Sequence, residues 1–267
     1  MKSKQKNKKK WLYRCLISLM IGFMSLTNMT LPTRAAENSL TKHFYNDINY
    51  QMSKGGYTAW GAGFNLAMNG KHVFCVDPTM DAVSGSGYTS SDFSHAKRSE
   101  MSIISYEGYY KHRNDSDIKN WNMATQLMIW EAMGWSVTSV TGFDYASYKT
   151  NIQNAINKHS TRPSFNGDEI TIKVGESITL NDTNGVFDEF HLVSDDGLIV
   201  SKNVNSFTIT GTVNAKDVST IVYNKVPDNC VGTSIIYKKA GAQDVAELYV
   251  QDPINTGVKV NVQKYGK

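Results

Sequence analysis

The chain has 267 residues, 28 Lys+Arg against 24 Asp+Glu, and three cysteines. Eight of the basic residues and none of the acidic ones fall within residues 1–36, so the remainder holds 28 − 8 = 20 basic against 24 acidic residues, a net of −4. That balance leaves no basic stripe for nucleic acid, and two remaining cysteines outside any CxxC, with scattered histidines, exclude a disulfide framework and zinc spacing.

In chain order, the first element is a leader. Six lysines within the first ten residues precede the short apolar run "CLISLMIGFMSL", and small residues follow at Thr33 and Ala35. This is the tripartite pattern of a secretory signal peptide, which we assign to residues 1–35. The apolar run is shorter than the roughly 20 residues a membrane span needs. We therefore expect a secreted or cell-surface protein that meets the membrane only through its leader.

"YTAWGAGFNLAMNGKHVFCVDP" reads as a hairpin, because Asn69-Gly70 suits a two-residue turn between extended runs. Counting outward pairs Met68 with Lys71, Leu66 with Val73 and Phe64 with Cys75. Three helical patterns follow, at 95–110, 118–135 and 144–160. In the second, Met123, Leu127, Trp130 and Met133 recur at helical spacing before Gly134. In the third, Asp144 is the expected N-cap.

The character changes near Ser164. Short runs rich in Val, Ile and Thr, among them "ITIKV", "SFTITGTV", "TIVYNK" and "VKVNV", alternate with Asp, Asn and Gly turns. That is the pattern of an all-β immunoglobulin-like sandwich. The expected organisation is therefore a first domain at 38–162, a β-sandwich at 164–262 and a tail at 263–267. Pro163 and Gly167 suit a linker between them.

"FCVDP" and "TQLMIW" together resemble the paired motifs of the thioester domains found at the tips of Gram-positive surface adhesins. The matching positions are Phe74, Cys75 and Val76, then Thr125, Gln126, Ile129 and Trp130. The likeness covers about residues 40–162, and the β-rich part that follows is similar to the module that often accompanies such domains. The resemblance implies an α+β thioester domain in which Cys75 and Gln126 are the two partners of an internal thioester. It further implies covalent attachment to an amine on a host extracellular protein or another surface ligand, by a monomer that needs no cofactor and no metal. This would be single-turnover binding and not enzyme catalysis.

The chemistry suits those residue types. A thiol is a strong side-chain nucleophile near neutral pH. Attack on a glutamine amide expels ammonia and leaves an S-acyl bond, provided the two groups are held at an effective molarity of about 10⁵–10⁸ M. Two rival readings remain at this point. One is a non-covalent wall- or host-binding module, with exposed aromatics such as Trp60 and Tyr109–Tyr110, whose cysteine is inert or bonded to Cys230. The other is a cysteine protease or transpeptidase using His72, His95 or His112 as base. A Lys–Asn or Lys–Asp isopeptide cross-link in the β-domain stays open. The closing run "VKVNVQKYGK" holds no sorting motif, which suggests a fragment, a truncated product or another means of attachment.

Overall fold

The computed structural model describes residues 37–264. The leader read at 1–35 and the end of the tail lie outside the described residues. The fold class is as expected, an α+β body together with a β-sandwich.

The body begins with two long strands, β1 (Asn38–Lys54) and β2 (Tyr57–Met68), paired along nearly their whole length with a bulge between Tyr45 and Asn49. Asn69 and Gly70 turn the chain with φ of 51° and 82°, the positive values a tight hairpin requires. Next come β3 (Lys71–His72) and β4 (Phe74–Cys75). β3 pairs with β2 through Ala67–His72 and Met68–Lys71, and Val73 N donates to Leu66 O at 3.1 Å. There the expected hairpin stops. Cys75 pairs with Val245 and not with Phe64, so the 71–75 segment leaves one neighbour and joins another within five residues.

That switch closes the ladder on itself. From β2 it runs through β1, β5 (Gly85–Asp92), β13 (Ile235–Lys238) and β14 (Val245–Glu247) to β4, and β6 (Ser136–Thr141) pairs with the far side of β1. The helices are α1 (Arg98–Ser105), continued by a π-helical turn at Tyr106–Tyr110, α2 (Ile118–Ala132) and α3 (Tyr145–Lys158). Asp144 caps α3, its carboxylate accepting from Ser147 N. Every residue of α2 from Asn122 to Trp130 is buried. Met123, Leu127 and Trp130 face the ladder core, whereas Ala124, Met128 and Ile129 face the other helices. A helix apolar on both faces belongs in the middle of a structure.

The sandwich packs two sheets. One has the order β10-β11-β8 (Ile199–Lys202, Ser206–Thr210, Ser177–Asn181). The other has the order β7-β15-β12-β9 (Glu169–Lys173, Asn255–Gln263, Val218–Asn224, His191–Ser194). Phe165, Phe187, Phe207 and Tyr223 fill the space between them with edge-to-face and tilted ring contacts.

The expected division into consecutive domains at 38–162 and 164–262 is corrected by this topology. After β12 the chain returns to the first ladder and contributes β13 and β14, and only then closes the sandwich with β15. The reason is a pairing requirement: Phe74 and Cys75 have lost β2 as a neighbour and need another strand. The two cores are also clasped by charge. Glu107, on the π-helical turn, is fully buried against His159 Nδ1 at 2.6 Å and Lys111 Nζ at 3.0 Å. Lys111 and the buried Lys225 both reach Glu189 at 2.8 Å. Lys225 Nζ also donates to Lys158 O at 2.9 Å, and its own carbonyl accepts from Tyr106 Oη at 3.0 Å.

Candidate functional site: Cys75 between two glutamines

Cys75 is completely buried in the ladder core. Gln126 does meet it, but at the backbone. Cys75 N–H donates to Gln126 Oε1 at 2.8 Å, and Gln126 Nε2 donates to Cys75 O at 3.0 Å. In a regular hairpin those two backbone groups would bond β2. Since β2 has parted from the 71–75 segment, the Gln126 amide takes the place of the missing strand. The helical spacing explains its aim, because Gln126 lies three residues after Met123 and four before Trp130, on the ladder-facing side. Both ends of the amide are occupied in this pairing.

The sulfur faces a different glutamine. Cys75 Sγ lies 2.8 Å from Gln243 Oε1, and both side chains are buried. Sheet geometry produces this contact. Cys75 pairs with Val245, and Val76 N donates to Asp244 O at 3.0 Å. Gln243 is thus the diagonal neighbour two residues before Cys75's partner, on the same face and within reach of a long side chain. Gln243 N donates to Asp81 O at 2.9 Å, which fixes its backbone to the loop after Cys75. The expected Cys75–Gln126 partnership is therefore corrected: the amide set against the thiol is that of Gln243. Its segment, "AGAQDVAEL", offered only a glutamine at a turn-to-strand junction, and nothing in its local spacing ties it to Cys75.

The remaining motif residues build the support. Phe74 packs edge-on against His72, whose ring stacks on Tyr109 with centroids 3.7 Å apart. Val76 lines a cleft described below. Thr125 Oγ1 donates to Trp121 O at 2.7 Å and presses against Gly108, where a Cβ would lie 2.1 Å from that oxygen. Only glycine lets the π-helical turn approach α2 so closely. Ile129 joins the helical core, and Trp130 packs on Tyr50 at 5.3 Å between ring centroids.

The electrostatics disfavour a free thiolate. Burial pushes the Cys75 thiol well up; Lys42 opposes this, while Asp77 and Asp81 add to it. None of the candidate histidine bases is placed against the sulfur. Burial lowers His72 to about 3, so it is neutral. His95 stacks near Phe93, and His112 stacks on Trp121 while bonding Asp115. Both Cys75 and Cys230 are free cysteines lying in separate cores, so no disulfide joins them. Among the described residues no cluster of His, Cys, Asp and Glu suits a metal ion. No helix there is long and apolar enough to cross a membrane.

A cleft of about 1110 Å³ opens beside the sulfur. Tyr50, Phe64 and Ala82 contribute to its lining, as do Asp77, Asp81 and Gln243. Cys75 itself is covered, so the cleft reaches the pair from the glutamine side.

A family model described as "Thioester domain" matches residues 72–164. The chain carries a thioester domain. Its fold is similar to a solved chain titled "Thioester domain of the Staphylococcus aureus TIE protein", with a TM-score of 0.71, 27% identity, and coverage of 86% of this chain and all of that one. Such coverage extends across both cores and is not confined to 38–162. A solved structure titled "The Bacillus anthracis TIE protein" aligns at a TM-score of 0.41 and 11% identity, over 85% of this chain and 49% of its own. No curated protein matches. The family match includes Cys75 and Gln126 but ends before Gln243, which enters the thioester domain only through the returning strands.

Proposed function

We propose that Cys75 and Gln243 form an internal thioester with which this protein, as an exported surface adhesin, acylates an amine on a host or surface ligand. The observation that carries the reading is the 2.8 Å approach of Cys75 Sγ to the amide of Gln243, which lines a cleft. Formation is a transfer within the fold. Sγ bonds to the Gln243 side-chain carbonyl carbon, the C–N bond of the amide breaks, and the thiol proton leaves with the nitrogen as ammonia. Gln126 holds the Cys75 backbone throughout, which keeps the sulfur from drifting. The buried setting then protects the acyl–sulfur bond from water. On capture, a ligand amine attacks the same carbon. A new amide joins ligand to Gln243, and the Cys75 thiol is regenerated with the amine's proton. The site is consumed, so one molecule binds one ligand. An ordinary lysine is neutral only about once in a thousand near pH 7, so capture depends on the ligand being held in the cleft.

The high thiol pKa and the distant histidines weigh against the protease reading. The test is intact mass and a thiol count under denaturing conditions that spare thioesters. Wild type should be one ammonia lighter than its sequence and expose only Cys230 of the two described cysteines. Cys75→Ala should remove both the deficit and any adduct with methylamine. A full-mass wild type with both thiols free would overturn the reading.

A further inference from the structure

The strand β2 leaves one edge unused. Phe64 N bonds Met123 Sδ, Phe64 O accepts from Asn122 Nδ2, and Leu66 O accepts from Val73, so these even-numbered residues turn their backbone groups away from β1. Alternation along a strand turns Thr58, Trp60 and Ala62 the same way. Their outward N–H and C=O groups have no partner among the described residues. Residues of this edge and of the loop 76–84 line the cleft, together with Lys42, Tyr50 and Gln243, beside the place where the 71–75 segment parts from β2. The edge also lacks the usual protection against pairing, since "YTAWGAGFNL" contains neither charge nor proline. Tyr57 and Trp60 stand 75% and 80% exposed along it. In the loop, Asp81 anchors Gln243 through its main-chain oxygen, and its carboxylate has no bonding partner among the described residues.

We propose that the amine captured by the thioester is a lysine within an extended segment of a partner protein, which adds as a strand to β2 at residues 57–63 and is guided inward by Asp81. This rests on the thioester reading and specifies its ligand. Main-chain bonds to Thr58, Trp60 and Ala62 would hold the segment without regard to its sequence. Tyr57, Trp60 and Met80 would contact its alternate side chains. A cleft of about 1110 Å³ is large for a lone amine but suits several residues of extended chain. Lys42 and Lys54 also line the cleft, but Lys54 Nζ is tied to Met133 O and Lys42 lies over the Phe44 and Phe64 rings, which leaves the carboxylate of Asp81 to receive an entering ammonium.

The full chain is incubated with a pool of peptides of about ten residues, randomised around a central lysine, enough at roughly 3.3 Å per residue to run the edge. The fastest-reacting members are recovered by mass and remade with N-methyl groups on alternate backbone nitrogens. Their rates are compared with that of methylamine. The selected peptides should react at least about tenfold faster than methylamine at equal concentration. One of the two methylation phases should lower that advantage by a similar factor. Ala62→Pro, which removes an outward N–H and spares the β1 ladder, should lower the peptide-to-methylamine ratio, as should Asp81→Asn. Peptides no faster than methylamine, or indifference to methylation in both phases, would overturn the strand-addition proposal and leave the thioester intact. A wild type inert to methylamine and lacking the ammonia deficit would instead overturn the thioester reading, and this proposal with it.

Discussion

The surroundings of Cys75 and of Cys230 differ in the way that matters for chemistry. Both thiols are buried, burial raises both, and each has a side-chain amide oxygen nearby. At Cys230, on the sandwich side, that oxygen is Asn229 Oδ1 at 3.6 Å, from the adjacent residue. At Cys75 it is Gln243 Oε1 at 2.8 Å, from the segment leading into β14, 168 residues away, with Gln126 gripping the backbone from the other side. A neighbour in sequence cannot be driven against the sulfur by the fold, because it moves with the sulfur. Two separate elements can be. The comparison teaches that the thioester proposed at Cys75 rests on opposing supports, and burial alone does not supply them.

The severest way to break the comparison is to remove the distant support. A fragment ending at residue 164 keeps Cys75 and Gln126 but loses β13, β14, Gln243 and the partners of the Glu107–Lys225 clasp. It should fail to fold, showing no cooperative thermal transition by circular dichroism. A stable fragment with a defined melt would restore the two-domain division.

Next comes the choice of glutamine. Gln243→Ala should abolish the ammonia deficit and the methylamine adduct, whereas Asn229→Ala should leave both as in wild type. Intact mass reads both variants. A persistent deficit in Gln243→Ala would return the acyl role to Gln126.

Gln126→Ala sharpens the same point. It leaves the Cys75 N–H and C=O buried without partners, at roughly 1–3 kcal/mol for each, so a loss of about 2–6 kcal/mol is expected in urea unfolding. Gln243 remains, so a reduced fraction of the protein should still show the deficit. Complete loss of the deficit with unchanged stability would contradict the clamp role.

The smallest effect belongs to the sandwich. Burial alone would raise Asp182, but backbone N–H groups of Ser164, Val186, Asn184 and Phe187 outweigh it and hold the carboxyl below its usual value. A depressed folded pKa stabilises above the unfolded value of about 3.9, and that share is lost as pH falls through the folded one. Asp182→Asn should cost about 1 kcal/mol at neutral pH and flatten the stability profile below about pH 4. The Cys75 chemistry at neutral pH should not change. Stability curves for the two proteins that run parallel through the acid range would refute this assignment.

Much of the molecule could be read locally. The Asn69-Gly70 turn, the three helices, the Asp144 cap and the β-rich second part each follow from spacing within a few residues, because hairpin turns, helix faces and strand alternation are short-range properties. Phe74, Cys75, Thr125 and Trp130 were legible as a pair of motifs, and the structure brings them together. The Cys75–Phe64 pairing was not foreseeable as wrong, since hairpin counting assumes that a strand keeps its neighbour. Gln243 was not legible either: a single polar residue before a three-residue strand has no local signature.

The sequence by itself determined a cysteine on an apolar strand, a helix bearing Thr125-Gln126 that the paired motifs link to it by resemblance, and a β-rich second part. Only the tertiary structure decided which glutamine faces the sulfur. That choice depends on β14 pairing with β4 across 170 residues of chain (245 − 75 = 170). Its register, set by Val245 opposite Cys75, carries Gln243 to the diagonal position, and no local preference encodes a pairing made at that separation.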